Sequence, residues 1–248
     1  MDTGLLAVAG VAAGVVNAVA GGGSLISFPA LVAVGYPTVS ANVTNTVALW
    51  PGYIGGALGY RAELSGQRGR AVAFSATSVA GAVIGCLLLL VTPDGVFDTL
   101  VPILIALASL LLAIQPWLKK RLTASERLSG RHHQVLLHTG IFIGGVYGAY
   151  FGAGLGVMLL GILGVFVHDD LQRVNAVRAV LSLVINTVAF AAFALFGPVR
   201  WYAVAVMAVA SLAGGFGGAR VARKLSPTVL RGVIVTFGFG VAVALALH

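Results

Sequence analysis

Two glycine clusters interrupt apolar stretches of the chain: Gly21-Gly22-Gly23 before Ser24, with Asn17 just upstream, and Gly152-Ala153-Gly154 before Leu155 and Gly156. Glycine lets a helix break and lets backbone approach backbone or ligand. The half-helices starting near Ser24 and Leu155 aim their N-terminal amides and positive dipole ends at the breaks, which suits an anion. A polar stripe adds to this: Asn175, Arg178, Ser182 and Asn186 recur at helical spacing and share one face. Asn42, Asn45 or Thr46, and then Tyr53 form a similar face in the first half. Arg178 has two readings, collecting an oxyanion through charge-assisted hydrogen bonds or snorkelling to the headgroups from little more than a turn inside its span. Asn17 either lines a site or caps a helix. The candidate binding set is Asn17, Gly21, Gly22, Gly23, Ser24, Asn42, Asn45, Gly152, Gly154, Asn175, Arg178 and Asn186.

Other chemistry fits poorly. Ser24 as a nucleophile would need a base, and the apolar stretches hold no acid, and no His away from their ends, to activate it. The five histidines, at 132, 133, 138, 168 and 248, sit at loops or stretch ends without metal-ligand spacing. The single cysteine, Cys86, excludes an internal disulfide, a multi-Cys metal centre and a dithiol mechanism. No cofactor and no metal are expected.

The elements that position these residues are set by composition. Of 248 residues, 59% are hydrophobic and only 9% charged, against roughly 25% charged in an average soluble protein. This predicts an all-α polytopic membrane protein, with the bilayer as its solvent and the cell membrane as its location. The +8 charge would raise nucleic acid as a partner in a soluble chain; here the basic residues lie between apolar spans and read as topology signals, and no nucleic acid is expected. Met1-Asp2-Thr3 lacks the basic start of a cleavable signal, so the first stretch is expected to be retained.

Apolar stretches run at about 4–35, 43–60, 71–92, 99–118, 134–167, 174–196, 201–222 and 232–247. Six have the roughly 20 residues of one crossing; the first and fifth are longer, and the glycine clusters divide them. Every Lys and Arg except Arg178 and Arg200 falls in or at the edge of the loops after the second, fourth, fifth and seventh stretches, which the positive-inside rule places in the cytoplasm. Arg131 and Arg173 then lie on the same side, so the fifth stretch must be a re-entrant hairpin. If the first behaves alike, both termini are external.

Residues 14–23 align without gaps to 145–154 with five identities in ten, and a two-residue shift then aligns Asn42 with Asn175. The chain divides into a first repeat at 1–121, a basic cytoplasmic linker at 122–133 and a second repeat at 134–248. Each repeat has a broken helix and three crossings, an odd number, so the second is inverted relative to the first. Inverted repeats with broken helices are the architecture of secondary transporters. Gly81 and Gly85, and Gly214 and Gly218, have small-xxx-small spacing that serves internal packing or a homodimer equally.

The run from Gly14 through Asn17, Gly21 and Ser24 to Pro29, then Ala41-Asn42 and Tyr60-Arg61, resembles the first repeat of the sulfite exporter TauE/SafE family. Gly152 to Gly156, Val174-Asn175, Gly197 before Trp201, and Gly214 to Arg220 with Arg223-Lys224-Leu225-Ser226 resemble its second repeat. The resemblance covers essentially the whole chain and implies export or uptake of small sulfur-containing anions such as sulfite or sulfonates. A transporter of small anions, exporting by alternating access, is the leading expectation. A passive anion channel would share most of these features, and an intramembrane hydrolase is third.

Overall fold

The computed structural model describes residues 2–19, 22–122, 131–167, 169–222 and 227–247. Ala20, Gly21, His168, His248 and most of the linker lie outside the described residues. All ten regular elements among them are α-helices: α1 (Thr3–Val19), α2 (Ser24–Ala33), α3 (Thr38–Gly59), α4 (Arg68–Val91), α5 (Asp94–Leu122), α6 (Arg131–Tyr150), α7 (Leu155–Phe166), α8 (Leu171–Phe196), α9 (Trp201–Ala222) and α10 (Pro227–Ala246). Both long stretches are broken at their glycines, into α1–α2 and α6–α7.

Three helices, at Arg68–Val91, Asp94–Trp117 and Gln172–Phe196, are long and apolar enough to cross a membrane. Their outer faces carry exposed Val72, Val91, Ile103 and Leu195, a surface that hydrocarbon tolerates and water does not. At 22 residues α3 also has spanning length, roughly 33 Å. It is the more polar because Asn42, Thr44, Asn45 and Thr46 face protein, where all four are buried.

Side-chain contacts fix the direction of each helix. Thr77 meets His138 at 2.7 Å, and further along the same pair Gly81 and Gly85 lie against Phe142, Val146 and Ala149; α4 and α6 therefore run parallel. The start of α6 returns to the end of α7, with the His133 and Phe166 rings 5.3 Å apart. Asp169, just after α7, pairs with Arg70 at the start of α4 at 3.1 Å. The fifth stretch thus enters and leaves at one end, here called the basic end.

The first stretch does the same at the opposite end. Thr3 bonds Tyr202 at the start of α9, and Gly10 and Gly14 lie along Met207 to Ser211, so α1 and α9 are parallel. Beyond α2, Thr38 donates to Asp98 at 2.6 Å and Ser40 to the Pro198 carbonyl at 2.7 Å. One hairpin therefore enters from each end, and the repeats are inverted.

Packing repeats the symmetry. α1 packs on α9 as α6 packs on α4, α3 meets α9 as α8 meets α4, and the pairs α3–α8 and α5–α10 map onto themselves. The shift that aligns Asn42 with Asn175 also pairs Ser40 with Arg173 and Gln67 with Arg200. Both pairs make the related contact: Gln67 Nε2 donates to the Arg173 carbonyl and Arg200 Nε to Ser40 Oγ, each at 3.2 Å. A Cβ at Gly14, Gly81, Gly85 or Gly214 would collide with backbone of the facing helix. Backbone against backbone is how membrane helices approach when water provides no hydrophobic drive. These small-residue faces are filled by the chain itself.

Candidate functional site

The two breaks converge on α5. Gly22 faces Leu112 and Gly154 faces Ala108, positions one turn apart on that helix, about 6 Å. Phe28 of α2 meets Phe151 edge to face, with centroids 5.5 Å apart. Each break is held differently. In the first, the Gly23 N–H donates to Asn17 Oδ1 at 2.8 Å, so Asn17 caps the entry to α2. In the second, Gly152 and Gly154 turn the chain at φ +78 and +74, values open to glycine and costly for other residues, while the Tyr147 hydroxyl donates to the Ala153 carbonyl at 2.6 Å.

Beside the breaks lies a cavity of about 100 Å³ lined by Asn17, by Gly52, Tyr53 and Gly56 of α3, by Gly156 of α7, and by Arg178, Ala179 and Ser182 of α8. Arg178 is its only charged residue. The guanidinium lies against Gly156, where a Cβ would come within 2.7 Å of Nη1. Arg178 makes no ion pair among the described residues; the two salt bridges there join Asp169 to Arg70 and Arg173. The Arg178 Nε and the Ser182 Oγ are buried without a hydrogen-bond partner. Leaving buried donors unpaired is costly, and these two share one cavity.

The local field has the same sign. Gly156 is the second residue of α7, a helix whose positive dipole end faces the cavity. The Leu155, Val157 and Met158 amides bond back to the Gly152 and Gly154 carbonyls. Among the described residues this leaves Gly156 as the first-turn N–H without a backbone partner. A guanidinium and a helix N-terminus meeting with no carboxylate between them favour an anion.

The rest of the candidate set divides. Asn42 donates to the Tyr150 carbonyl at 2.8 Å and Asn45 accepts from Ser27; both tie half-helices to α3 and neither lines the cavity. Asn186 donates to the Ser182 carbonyl at 2.9 Å and meets the Tyr53 hydroxyl, its symmetry counterpart, so the two meet beside the repeat axis. Gly22, Gly23, Ser24, Gly152 and Gly154 frame the breaks and Asn175 lies near the start of α8, all outside the cavity lining, and Gly21 is outside the described residues. The candidate set lacks the lining residues Gly52, Tyr53, Gly56, Gly156, Ala179 and Ser182. Tyr53 and Ser182 were legible on the two polar faces and Gly156 in its break; the crowding of Gly52, Gly55, Gly56 and Gly59 in α3 was the available signal for the others.

That crowding opens the site on one side. Gly52, Gly55, Gly56 and Gly59 have nothing within 4 Å of an added Cβ. Their α8 counterparts are Ile185, Val188, Ala189 and Ala192, of which Ile185 and Ala189 are fully buried. The gap between α3 and α8 is therefore open toward the basic end and filled toward the other, where Val43 closes on Gly197.

The family model for the sulfite exporter TauE/SafE matches residues 6–245. A Haemophilus influenzae protein named "Probable membrane transporter protein" is 29% identical over 231 residues, covering 93% of this chain and 89% of its own length. A Sinorhizobium protein named "Probable membrane transporter protein ORF9" is 26% identical, covering 97% and 90%. The Escherichia coli K12 protein named "Probable membrane transporter protein YfcA" is 25% identical, covering 90% and 81%. No solved structure matches the chain. A polytopic helical architecture, a match along almost the whole chain and relatives named as transporters converge: the chain is a membrane transporter of the sulfite exporter TauE/SafE family.

Proposed function

We propose that the chain carries small sulfur-containing oxyanions, sulfite or sulfonates, out across the cell membrane by alternating access, binding them in the cavity at Arg178. The observation that carries this is the half-buried Arg178, its Nε buried without a hydrogen-bond partner, beside Ser182 and the start of α7. Arg61, Arg68, Arg70 and Arg173 gather at the basic end, which the positive-inside rule makes cytoplasmic; both termini of the transmembrane region are then external. The site is open toward the cytoplasm in this arrangement and closed outward, the inward-facing member of an alternating pair. Its one-sided opening favours a carrier over a passive channel, which needs a path open at both ends. Proteoliposome counterflow tests it: preloaded unlabelled sulfite or methanesulfonate should accelerate uptake of the labelled anion and saturate. Flux linear in concentration without counterflow would make the protein a channel.

A further inference from the structure

Resting on the reading of the cavity as an oxyanion site, we propose that it is matched to a single negative charge: it takes a monoanionic R–SO3 head, a sulfonate or hydrogensulfite, and discriminates against sulfate, sulfite and other dianions. Charge comes first. Arg178 is the one ionised residue among the lining side chains, and no carboxylate joins it. At the basic end Arg70 and Arg173 are both engaged by Asp169, at 3.1 and 3.4 Å. One bound negative charge neutralises the guanidinium. A second would stay buried and unpaired, the costly half of a broken ion pair.

The hydrogen-bonding inventory points the same way. Asn17 Oδ1 is committed to the Gly23 N–H, so what its amide can still offer is NH2, a donor. The Ser182 hydroxyl and Arg178 Nε are buried without partners, and Gly156 adds a first-turn amide. An acceptor-only head satisfies these donors together. The Tyr53 hydroxyl on the lining is met by Asn186, and Gly52, Gly56 and Ala179 supply the rest of the wall and offer no side-chain polar group. A short apolar substituent can face them without desolvation penalty, whereas the further charged oxygen of sulfate would face them unpaired.

Methanesulfonate and sulfate isolate the variable, being tetrahedral, similar in size and different in charge. With the full-length protein in proteoliposomes at fixed ionic strength, each competes against labelled substrate. Methanesulfonate should compete about tenfold more strongly than sulfate, and sulfite flux should fall as pH rises through the conversion of hydrogensulfite to its dianion while methanesulfonate flux holds. Sulfate competing as well as methanesulfonate overturns the charge match and leaves the anion site standing. Failure of every anion, with the protein folded, removes the reading beneath it. Gly56→Lys gives a second check, since it adds a cation where a Cβ meets open space. It should narrow the preference several-fold, and a preference that does not move counts against charge as its cause.

Discussion

At the residue scale, Arg178 and Gly156 act as a pair. Their counterparts in the first repeat are Asn45 and Leu25, where Asn45 is tied to α2 by Ser27. The second repeat replaces a neutral cross-tie with a guanidinium and removes the side chain that would occupy its place. Arg178→Gln should raise the half-saturation concentration about tenfold and flatten its salt dependence, because a screened attraction is lost; Arg178→Lys should keep part of the affinity without the planar fork. Flux titrations at two ionic strengths decide it. Gly156→Val should displace the guanidinium and weaken transport similarly, with the double variant Gly156→Val/Arg178→Gln little worse than Arg178→Gln alone. The sequence placed Asn175, Arg178, Ser182 and Asn186 on one face correctly. It could not tell a polar group facing the cavity from one facing backbone, which is why Asn42, tied to Tyr150, looked like Arg178. Periodicity reports which way a side chain points, whereas a hydrogen-bond partner over a hundred residues away does not register in it.

At the element scale, glycine does two opposite things. In α1, α4 and α9 it is contact: a Cβ at Gly85 would run into the Val146 carbonyl. In the second half of α3 it is space. Gly85→Leu should therefore destabilise the α4–α6 pair by about 3 kcal/mol or more, while Gly55→Ala, exposed and without neighbours, should leave stability unchanged or raise it by up to about 1 kcal/mol. Thermal unfolding in detergent compares them. The hairpins were legible, because basic loops on both flanks of the fifth stretch allow no single crossing. The open half of α3 was not: four glycines in ten residues read equally as a tight contact or a gap until the facing helix is in place.

At the scale of the molecule, two inverted halves meet along α3–α8 and α5–α10, and on the proposed reading the departures from symmetry serve transport. Tyr53 and Asn186 hold equivalent positions and touch, while the cavity lies to one side, toward the basic end. In a Cys86→Ala background, cysteines at Gln134 and Gln172 should react from one face of the membrane and a cysteine at Asp94 from the other; labelling of Gln134→Cys and Gln172→Cys from opposite faces would break the inverted arrangement. The central claim, that the Arg178 cavity holds the transported anion, has its most direct test at Ser182, whose hydroxyl lies buried and unpartnered in that cavity. Alkylation of Ser182→Cys by N-ethylmaleimide, in the same Cys86→Ala background, should slow as methanesulfonate is added, with half-protection at the concentration that half-saturates transport, and this protection should vanish when Arg178→Gln is added. An alkylation rate indifferent to the anion, or protection that survives the loss of Arg178, would place the substrate elsewhere.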